Sequence, residues 1–422
     1  MSTNKSKTTH RLLSLFSGCG GMDLGFTGNF TCNEKSINTK VHPDWIKEKT
    51  KGKILLSPTC FETIFANDIR PDAKAAWVSY FSQHYEDAND RYHLESIVDL
   101  VKQAKNKKFK FPEGIDLVTG GFPCQDFSVA GKRLGFNSQK SHLGTALKTD
   151  EPSVESRGQL YIWMRDVITI TKPKMFIAEN VKGLTNLADT KAIIEHDFST
   201  AGNGGYLVVN AKVLNAANYG VPQNRERVLF FGFKKSALTK KAIKELSQEE
   251  ISEEYNPYPL ETHGKEDKKE IFPIVTSYDI LKDLAEPDKS NDPSQQIYSK
   301  AKYMGKHCQG QTEIKLNDVA PTIRSEHHGN IEFRRLSAEH GGTHKDELKK
   351  GLCERRLSVR ECARIQTFPD DYQFILPQTE NNVAVSSSDA YKIIGNAVPC
   401  LLAYNLAKNI ESKWHLYFGV EQ

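Results

Sequence analysis

The sequence lacks regularly spaced cysteines and long apolar segments. Its eight cysteines include no Cys-x-x-Cys pair, which argues against a zinc site and against a disulfide framework. Segment Met1–Arg11 is polar and basic, and the short apolar run after it leads into glycines instead of a cleavage site. We therefore expect a cytoplasmic protein that works in a reducing compartment, binds no metal and makes no membrane contact.

The sequence also has little excess charge. It carries 57 basic and 53 acidic residues, a formal net charge of +4, which excludes a protein that coats nucleic acid non-specifically but leaves room for a local basic cleft. A chain of 422 residues is expected to form two domains. Strand-helix alternation runs through residue 233 and then stops. We predict an α/β fold with a doubly wound sheet in residues 1–233, an inserted second domain in residues 234–387, and a return to the first domain in residues 388–422.

One cysteine lies in a loop that has the features of a reaction site. Ile115–Thr119 is a short apolar run typical of a buried strand, and two glycines end it. Cys124 follows Pro123 within Gly-Phe-Pro-Cys-Gln-Asp-Phe-Ser, whose polar side chains do not suit a core. Cysteine attacks as its thiolate, which basic neighbours favour. A buried structural cysteine is the alternative, but the polar loop favours a nucleophile.

A glycine turn near the N-terminus is typical of a site for a nucleotide-like cofactor. Leu12–Phe16 resembles a strand, Ser17–Gly21 reads Ser-Gly-Cys-Gly-Gly, and Met22–Phe26 can begin a helix. Glycines let the backbone approach a ligand closely, and the first turn of a helix offers N–H groups. The full Gly-x-Gly-x-x-Gly pattern is absent, so an ordinary strand-to-helix turn is an alternative at this point.

Carboxylates follow two further predicted strands. Asp68 closes Thr63–Asn67, at the position where dinucleotide-type folds bind ribose hydroxyls, although a helix N-cap is an alternative role. Glu179 closes Lys174–Ala178 in the same way. A polar, lysine-rich insertion at residues 27–60 precedes the first of these strands, and the sequence suggests no role for it.

These segments together resemble the motifs of the DNA cytosine-5 methyltransferases, of the bacterial restriction-modification type. The loop of Cys124 resembles the nucleophile motif, and Glu179-Asn-Val resembles the second catalytic motif. Further matches occur in family order at Arg157–Tyr161, Gln223–Arg227, Arg355–Pro369 and Tyr391–Pro399. The resemblance implies a doubly wound, Rossmann-like S-adenosylmethionine-dependent methyltransferase sheet with an inserted, smaller target-recognition domain.

The resemblance also implies roles for individual residues. Cys124 attacks C6 of cytosine, Glu179 stabilises the charge that develops on the ring, and Arg225 and Arg227 hold the base after it has flipped out of the duplex. S-adenosylmethionine is the implied cofactor, and the residues implied to bind it are Phe16, Gly18, Cys19, Gly20, Gly21, Asp68, Ser96, Ile97, Pro123 and Asn396. Ser96 replaces an acidic residue of the family, and Glu95 stands beside it.

The stretch from Ala320 to Arg335 is predicted to read the DNA sequence. It is turn-rich and combines arginines with amide, hydroxyl and imidazole groups, which can pair with base edges in a major groove. The predicted DNA contacts are Gln223, Arg324, Ser325, Arg334 and Arg335, with Arg324 and Arg335 as guanine readers. His327 and His328 also suggest a metal, but no Cys or His partner stands at zinc-like spacing.

The predicted substrate is double-stranded DNA, on which the protein acts as a monomer near the nucleoid. A restriction endonuclease that recognises the same site without binding this protein is the expected companion, and residues 135–156 are expected to close over the DNA.

Two alternatives stay open. One is a transfer-RNA methyltransferase of the same family, but the long second domain favours duplex DNA as the substrate. The other is an inactive DNA-binding homologue, against which the complete set of Cys124, Glu179 and Arg227 argues.

Overall fold

The computed structural model describes residues 8–123, 159–186, 189–265, 270–325, 330–380 and 382–419. Cys124, the predicted lid at 135–156 and the pair His327-His328 lie outside the described residues. The strands are β1 (His10–Leu15), β2 (Thr31–Asn33), β3 (Ile46–Thr50), β4 (Lys53–Leu56), β5 (Phe61–Asp68), β6 (Tyr92–Leu94), β7 (Leu117–Gly121), β8 (Met175–Val181), β9 (Tyr206–Asn215), β10 (Glu226–Lys234), β11 (His263–Gly264), β12 (Phe272–Pro273), β13 (Phe333–Arg335) and β14 (Arg355–Arg356). The helices are α1 (Gly21–Thr27), α2 (Pro71–Phe81), α3 (Ala88–Arg91), α4 (Ile97–Lys105), α5 (Leu160–Thr171), α6 (Thr190–Ser199), α7 (Ala201–Gly204), α8 (Lys240–Leu246), α9 (Ser277–Leu281), α10 (Pro293–Gln296), α11 (Lys345–Lys349), α12 (Val359–Ile365), α13 (Ser387–Asn396) and α14 (Cys400–Phe418).

Seven of these strands form one central sheet. Their order is β6-β5-β1-β7-β8-β10-β9, so the strand order reverses beside β1, and β10 pairs antiparallel with both β8 and β9. The pairs β1-β5, β1-β7, β5-β6 and β7-β8 are parallel. Because parallel strands share a direction, the ends of β1, β5, β7 and β8 meet along one edge of the sheet, where ligands bind in open α/β folds.

Helices cover both faces of this sheet, as the α/β prediction requires. Leu12 packs into the core that contains Trp77 of α2 and Leu401 of α14, whereas the next residue, Leu13, packs into a second core that contains Met164 of α5. This alternation follows from the period-two geometry of a strand. The doubly wound sheet predicted from the sequence is therefore confirmed.

The packing of two helices follows from their sequence. In α5, residues at i, i+3, i+4 and i+7 are all buried: Leu160, Trp163, Met164 and Val167. The terminal helix α14 packs on α1, where a Cβ on Gly25 would meet the Cβ of Ala403, so only glycine allows this approach of the two helices. The end of the chain therefore returns to the central sheet.

Regular sheet structure ends with β10, and the chain then forms only short strands and helices as far as α13. The first part of this region packs closely on the sheet, since Tyr258 Oη donates to the carbonyl oxygen of Leu229 at 2.9 Å. The predicted division at residues 233 and 387 stays a prediction, because contacts of this kind cross it.

The insertion at residues 27–60 bridges two regions of the chain. Its strands form a three-stranded antiparallel sheet in the order β2-β4-β3. Asn38 Nδ2 donates to the carbonyl oxygens of Thr262 and Glu270, and Lys35 Nζ lies 2.7 Å from Oδ1 of Asp279. The insertion thus connects the sheet to the region that follows β10, a role that the sequence did not reveal.

Candidate active site

A buried carboxylate and a guanidinium meet at the carboxyl end of β8. Glu179 pairs in register with Gly121 at the end of β7, and Arg227 is the second residue of the neighbouring strand β10. Arg227 Nε lies 2.6 Å from Oε1 of Glu179, and both residues are buried. The structure therefore brings together two of the predicted catalytic side chains.

Burial raises the pKa of Glu179 above its ordinary value. The cause is the loss of water around the carboxylate, which disfavours its charged form. The guanidinium groups of Arg227 and Arg225 act in the opposite direction, but the net shift is upward. Burial therefore makes the protonated form of Glu179 more accessible than that of a solvated glutamate.

The segment that leads to Cys124 is fixed beside Glu179. Asn180 Nδ2 donates to the carbonyl oxygen of Phe122 at 3.1 Å. A Cβ on Gly121 would lie 2.8 Å from Oε2 of Glu179, so glycine is needed where the carboxylate passes the backbone. Pro123, the last described residue before the loop, therefore leaves the sheet next to the carboxylate.

Arg225 and Gln223 do not face the same pocket as Arg227. Arg225 is completely buried and donates to the carbonyl oxygens of Ile323, Gly395 and Ala397. The side chain of Gln223, also completely buried, accepts from the Ile323 N–H and donates to Oε1 of Gln366.

These contacts correct the predictions that Arg225 holds the flipped base together with Arg227 and that Gln223 contacts DNA. Strand β10 begins only at Glu226, so Gln223 and Arg225 lie in a bent segment before it. Gln223 is not available for a DNA contact in this structure. Both residues contact Ile323. Arg225 also contacts the end of α13, whereas Gln223 contacts the end of α12.

The predicted cofactor turn lies at the carboxyl end of β1. Gly18 and Gly20 have φ values of 54° and 78°, in the left-handed region that favours glycine. A Cβ on Gly20 would lie 2.5 Å from Cδ1 of Trp77, so this glycine lets the turn lie directly on the indole ring. Phe16 also has a positive φ, of 53°, and the buried Cys19 donates its S–H to the carbonyl oxygen of Ile393. Gly21 then begins α1.

Asp68 holds this turn in place from the neighbouring strand. Its carboxylate accepts the N–H of Gly18 at 3.0 Å and the N–H of Arg70 at 3.1 Å, and burial raises its pKa. The N-cap of α2 is Arg70, so Asp68 is not the helix N-cap that the sequence allowed. Its position at the end of β5 agrees with the predicted cofactor-binding site.

Ser96 and Ile97 stand at the start of α4, near the same edge of the sheet. Ser96 is the N-cap residue, and its hydroxyl accepts the N–H of Val98. Ile97 is buried. Asn396, in contrast, is exposed at the end of α13.

Arg334 and Arg335 are not placed to read bases, and this corrects the prediction. Arg335 is completely buried between the carboxylates of Glu286 and Glu347, and Arg334 contacts Glu347 and Glu361. A buried guanidinium that is committed to two carboxylates cannot also pair with guanine. Arg324 is one-third exposed, with Glu332 Oε1 3.7 Å from its Nη1. Ser325 follows it and is partly buried.

Three aromatic residues that support the cofactor turn were not predicted. Tyr92 Oη donates to the carbonyl oxygen of Gly18 at 2.9 Å, and Tyr372 Oη donates to that of Cys19 at 2.5 Å. Trp77 Nε1 donates to Oδ2 of the buried Asp23 at 2.7 Å. In the sequence, the spacing of Ala73, Trp77 and Phe81 would place these three residues on one apolar face of a helix. This spacing indicates that Trp77 is buried, but it does not reveal the contact with Asp23.

Within the described ranges, no group of three or more His, Cys, Asp or Glu side chains is arranged to hold a metal ion. None of the helices described here is both long enough and apolar enough to cross a membrane.

A mostly parallel sheet, with a glycine turn after its central strand and carboxylates at the ends of neighbouring strands, defines a Rossmann-like α/β enzyme. The family is shown by comparison. The chain belongs to the C-5 cytosine-specific DNA methylase family, whose model matches residues 10–412, and it is a DNA cytosine-5 methyltransferase.

Individual relatives agree with this assignment. The chain is 30% identical over 417 residues to the type II methyltransferase M.BsuRI of Bacillus subtilis, covering 96% of this chain and 80% of the relative. It is 32% identical over 413 residues to the type II methyltransferase M.BspRI of Lysinibacillus sphaericus, covering 94% and 81%. The structure of the Entamoeba histolytica methyltransferase EhMeth is similar with a TM-score of 0.55 at 13% identity, over 96% of this chain and 99% of that one, which supports the fold alone.

Proposed function

We propose that this chain transfers a methyl group from S-adenosylmethionine to C5 of a cytosine within a short specific sequence of duplex DNA. The observation that carries the mechanism is the buried pair of Glu179 and Arg227, beside the segment that leads to Cys124. Because its relatives are named type II methyltransferases, we further propose that the protein protects host DNA in a restriction-modification system. It acts in the cytoplasm, as a monomer, on the same site as a separate endonuclease.

The residues at the carboxyl edge of the sheet fit S-adenosylmethionine. The turn at Gly18–Gly21 leads directly into α1, and Asp68 stands at the end of β5, where ribose hydroxyls bind in folds of this type. We assign six further residues to the same site: Phe16, Cys19, Ser96, Ile97, Pro123 and Asn396. When bound, S-adenosylmethionine supplies the methyl group. It is a sulfonium compound without a pyrophosphate, which agrees with the absence of a third glycine.

Cytosine needs activation before its C5 can accept a methyl group. We propose that the thiolate of Cys124 adds to C6, and that the electron pair of the C5–C6 double bond moves into the ring toward N3. Glu179 holds a proton at N3 and so stabilises the negative charge that develops there, a role that its raised pKa favours. Arg227 orients this carboxyl through its 2.6 Å contact. The addition makes C5 nucleophilic, so that it would take the methyl group that bound S-adenosylmethionine supplies, with a neutral thioether as the leaving group. A base then removes the C5 proton, and the thiolate leaves C6 by elimination.

The target base must leave the duplex for this chemistry. C6 is stacked between neighbouring bases, so flipping the nucleotide costs a few kcal/mol, which contacts with the protein must offset. Arg227 is the arginine of its motif that lies at the catalytic carboxylate, so we assign the contact with the flipped base to Arg227 and only a supporting role to Arg225.

The proposal is tested by covalent trapping. A duplex that contains 5-fluorocytosine should form a stable adduct with the wild-type enzyme in the presence of cofactor, because fluorine cannot leave C5 as the proton does. Cys124→Ser should abolish both the adduct and methyl transfer, while duplex binding survives. Cys353→Ser is the matched control, since Cys353 is an exposed free cysteine elsewhere in the chain.

If Cys124→Ser transferred methyl groups near the wild-type rate, this result would contradict the assignment of Cys124 as the nucleophile. Methylation of transfer RNA in preference to duplex DNA would favour the transfer-RNA alternative over the proposed substrate. Bisulfite sequencing of DNA from cells that express the chain would then identify the sequence that it modifies.

A further inference from the structure

A basic loop at residues 302–309 projects from the region that follows β10. Its exposed side chains include Lys302, Met304, Lys306 and His307, and Met304 is 73% exposed. The sequence from residue 300 to residue 312 contains three lysines and no acidic residue. Within the described ranges, no carboxylate forms an ion pair with Lys302 or Lys306. Among the residues that the structure describes, the positive charge of Lys302 and Lys306 is therefore not neutralised by an ion pair.

A single buried arginine anchors both ends of this loop. Arg356, which is 1% exposed, donates from Nε to the carbonyl oxygen of Ala301 at 2.8 Å and from Nη2 to that of Lys302 at 3.3 Å. Its Nη1 donates to the carbonyl oxygen of Gly310 at 2.7 Å and also to that of Ile331. The guanidinium thereby connects the base of the loop to the stretch that the sequence predicted to read DNA.

Aromatic and backbone contacts restrict the loop further. Tyr303 stacks on His340 with ring centroids 4.4 Å apart, so one side chain of the loop turns inward while its neighbours point outward. The N–H of Met304 donates to Oε1 of Gln311 at 2.8 Å, which closes the loop across its base. A Cβ on Gly310 would clash with the backbone of Asn330, so the end of the loop lies directly against the stretch from Ala320 to Arg335.

We propose that residues 302–309 form a DNA-contacting loop in which Lys302 and Lys306 bind backbone phosphates and Arg356 is the positioning residue. This inference rests on the proposed action on duplex DNA and names a surface through which that DNA is held. The loop supplies positive charge that Arg334 and Arg335 do not, because those two arginines are paired with carboxylates.

The observations favour a nucleic-acid backbone over other partners. An ordered loop loses little conformational entropy on binding, and lysines without carboxylate partners pay no cost for breaking an ion pair. Each lysine that neutralises a phosphate releases condensed counterions, so its contribution appears as salt dependence and not as sequence preference. The end of the loop lies against the stretch from Ala320 to Arg335, because Gly310 packs on the backbone of Asn330. One duplex can therefore contact both segments.

The test compares two double variants of equal charge. Lys302→Ala with Lys306→Ala removes two lysines from the loop. Lys108→Ala with Lys110→Ala removes two exposed lysines from the connection between α4 and β7, at the edge of the sheet opposite Gly121. Affinity for a duplex is measured at several salt concentrations. The loop variant should bind all duplex sequences more weakly, with a salt slope shallower by about two units, whereas the control should match the wild type.

Failure of the inference and failure of the proposed function give different results. A wild-type enzyme that methylates no duplex DNA would remove the function and the inference with it. A wild-type enzyme that methylates duplex DNA, with an unchanged salt slope for the loop variant, would overturn the inference alone. A loss of affinity that is confined to the cognate duplex would also overturn the inference, because this result would show that the lysines contact bases and not phosphates.

Arg356→Lys tests the positioning residue. A lysine cannot donate to the backbone on both sides of the loop at once, so DNA affinity should fall while cofactor affinity stays at the wild-type value. Equal loss of both affinities would show that Arg356 maintains the whole fold, and the pair of loop lysines would then decide the inference.

Discussion

The guanidinium of Arg227 and the carboxylate of Glu179 form a buried contact of 2.6 Å at the ends of two neighbouring strands. Burial raises the pKa of Glu179, and the arginine opposes this rise. The contact therefore serves two purposes that conflict in part. It orients the carboxyl group, and it limits how firmly that group holds a proton.

The first prediction concerns the pH dependence of methyl transfer. If Glu179 acts while protonated, activity is lost as the pH rises through its pKa. Arg227→Gln removes a charge that lowers this pKa while the carboxylate remains buried, so the pKa should rise further. The alkaline limb of the pH–rate profile should therefore move to higher pH, and the maximal rate should fall.

Single-turnover methylation rates across a neutral to alkaline series would measure this shift. Lys182→Gln is a suitable control, because Lys182 pairs with Glu226, the residue before Arg227, and not with Glu179. An alkaline limb that stays in place or moves to lower pH in Arg227→Gln would contradict the assigned role of the protonated carboxyl group.

A second prediction concerns the stability contributed by Asp23. This residue is completely buried and accepts from Ser14 Oγ at 2.5 Å and from Trp77 Nε1 at 2.7 Å, and burial raises its pKa from 3.8 to about 6. A raised carboxyl pKa means that the folded state prefers the neutral form. The contribution of Asp23 to stability is thus most favourable at low pH, and it falls as the pH rises from about 4 to about 6. The loss amounts to roughly 3 kcal/mol at neutral pH.

Asp23→Asn should remove this pH dependence. The amide keeps an acceptor for Trp77 and avoids the buried charge, so the free energy of unfolding at neutral pH should equal or exceed that of the wild type. Asp90→Asn, at an exposed position in α3, should leave the pH dependence unchanged. Unfolding measured by denaturant at several pH values would decide the matter. A strongly destabilised Asp23→Asn at neutral pH would show that the hydrogen bonds of the ionised carboxylate outweigh its desolvation.

Local patterns were sufficient to predict the central sheet and several residues at its edge. Short apolar runs that end in glycine or a carboxylate mark buried parallel strands, and such strands place their ends together. This is why Asp68 and Glu179 could be located before the fold was known. The pairing of Glu179 with Arg227 also follows, since the two strands are neighbours.

Long-range pairing explains what the sequence did not reveal. Nothing near Arg335 indicates that Glu286 and Glu347 will surround it, because these partners lie 49 and 12 residues away. Arg225 likewise meets the carbonyl oxygen of Gly395, which is 170 residues away. From the sequence alone, a polar side chain is expected to be available for binding DNA. Whether it is buried instead depends on residues that are distant in the sequence.

A third prediction separates backbone strain from steric contact in the cofactor turn. Gly18 and Gly20 both have positive φ, so alanine is strained at either position by about 1–3 kcal/mol. Only Gly20 is also packed against Trp77, while no atom lies within 4 Å of a Cβ on Gly18. Thermal unfolding without cofactor should therefore show a larger loss for Gly20→Ala than for Gly18→Ala. The additional loss should be about 1–3 kcal/mol, as for other overpacked sites. Equal losses would mean that Trp77 can move away at little cost.

The last prediction distinguishes a buried arginine from an available one. Arg335 lies between Glu286, whose pKa is lowered to about 2 by the guanidinium groups of Arg355 and Arg335, and Glu347. Arg335→Ala leaves these partly buried carboxylates without one of their partners, and the loss of stability should reach at most about 3–5 kcal/mol, the cost typical of a fully buried pair. Its effect on DNA binding should accordingly follow the loss of folded protein and be the same for every sequence.

Arg324→Ala should behave in the opposite way. The guanidinium is one-third exposed, and its carboxylate neighbour Glu332 is 3.7 Å away, so stability should change by less than about 1 kcal/mol. If Arg324 pairs with guanine, the variant should lose about 1–3 kcal/mol of affinity for the cognate duplex and discriminate less against single mismatches. Unfolding curves and duplex titrations of both variants provide the comparison. A stable Arg335→Ala with selectively weakened cognate binding would return base reading to Arg335, because a side chain needed only for the buried network cannot alter sequence preference without altering stability.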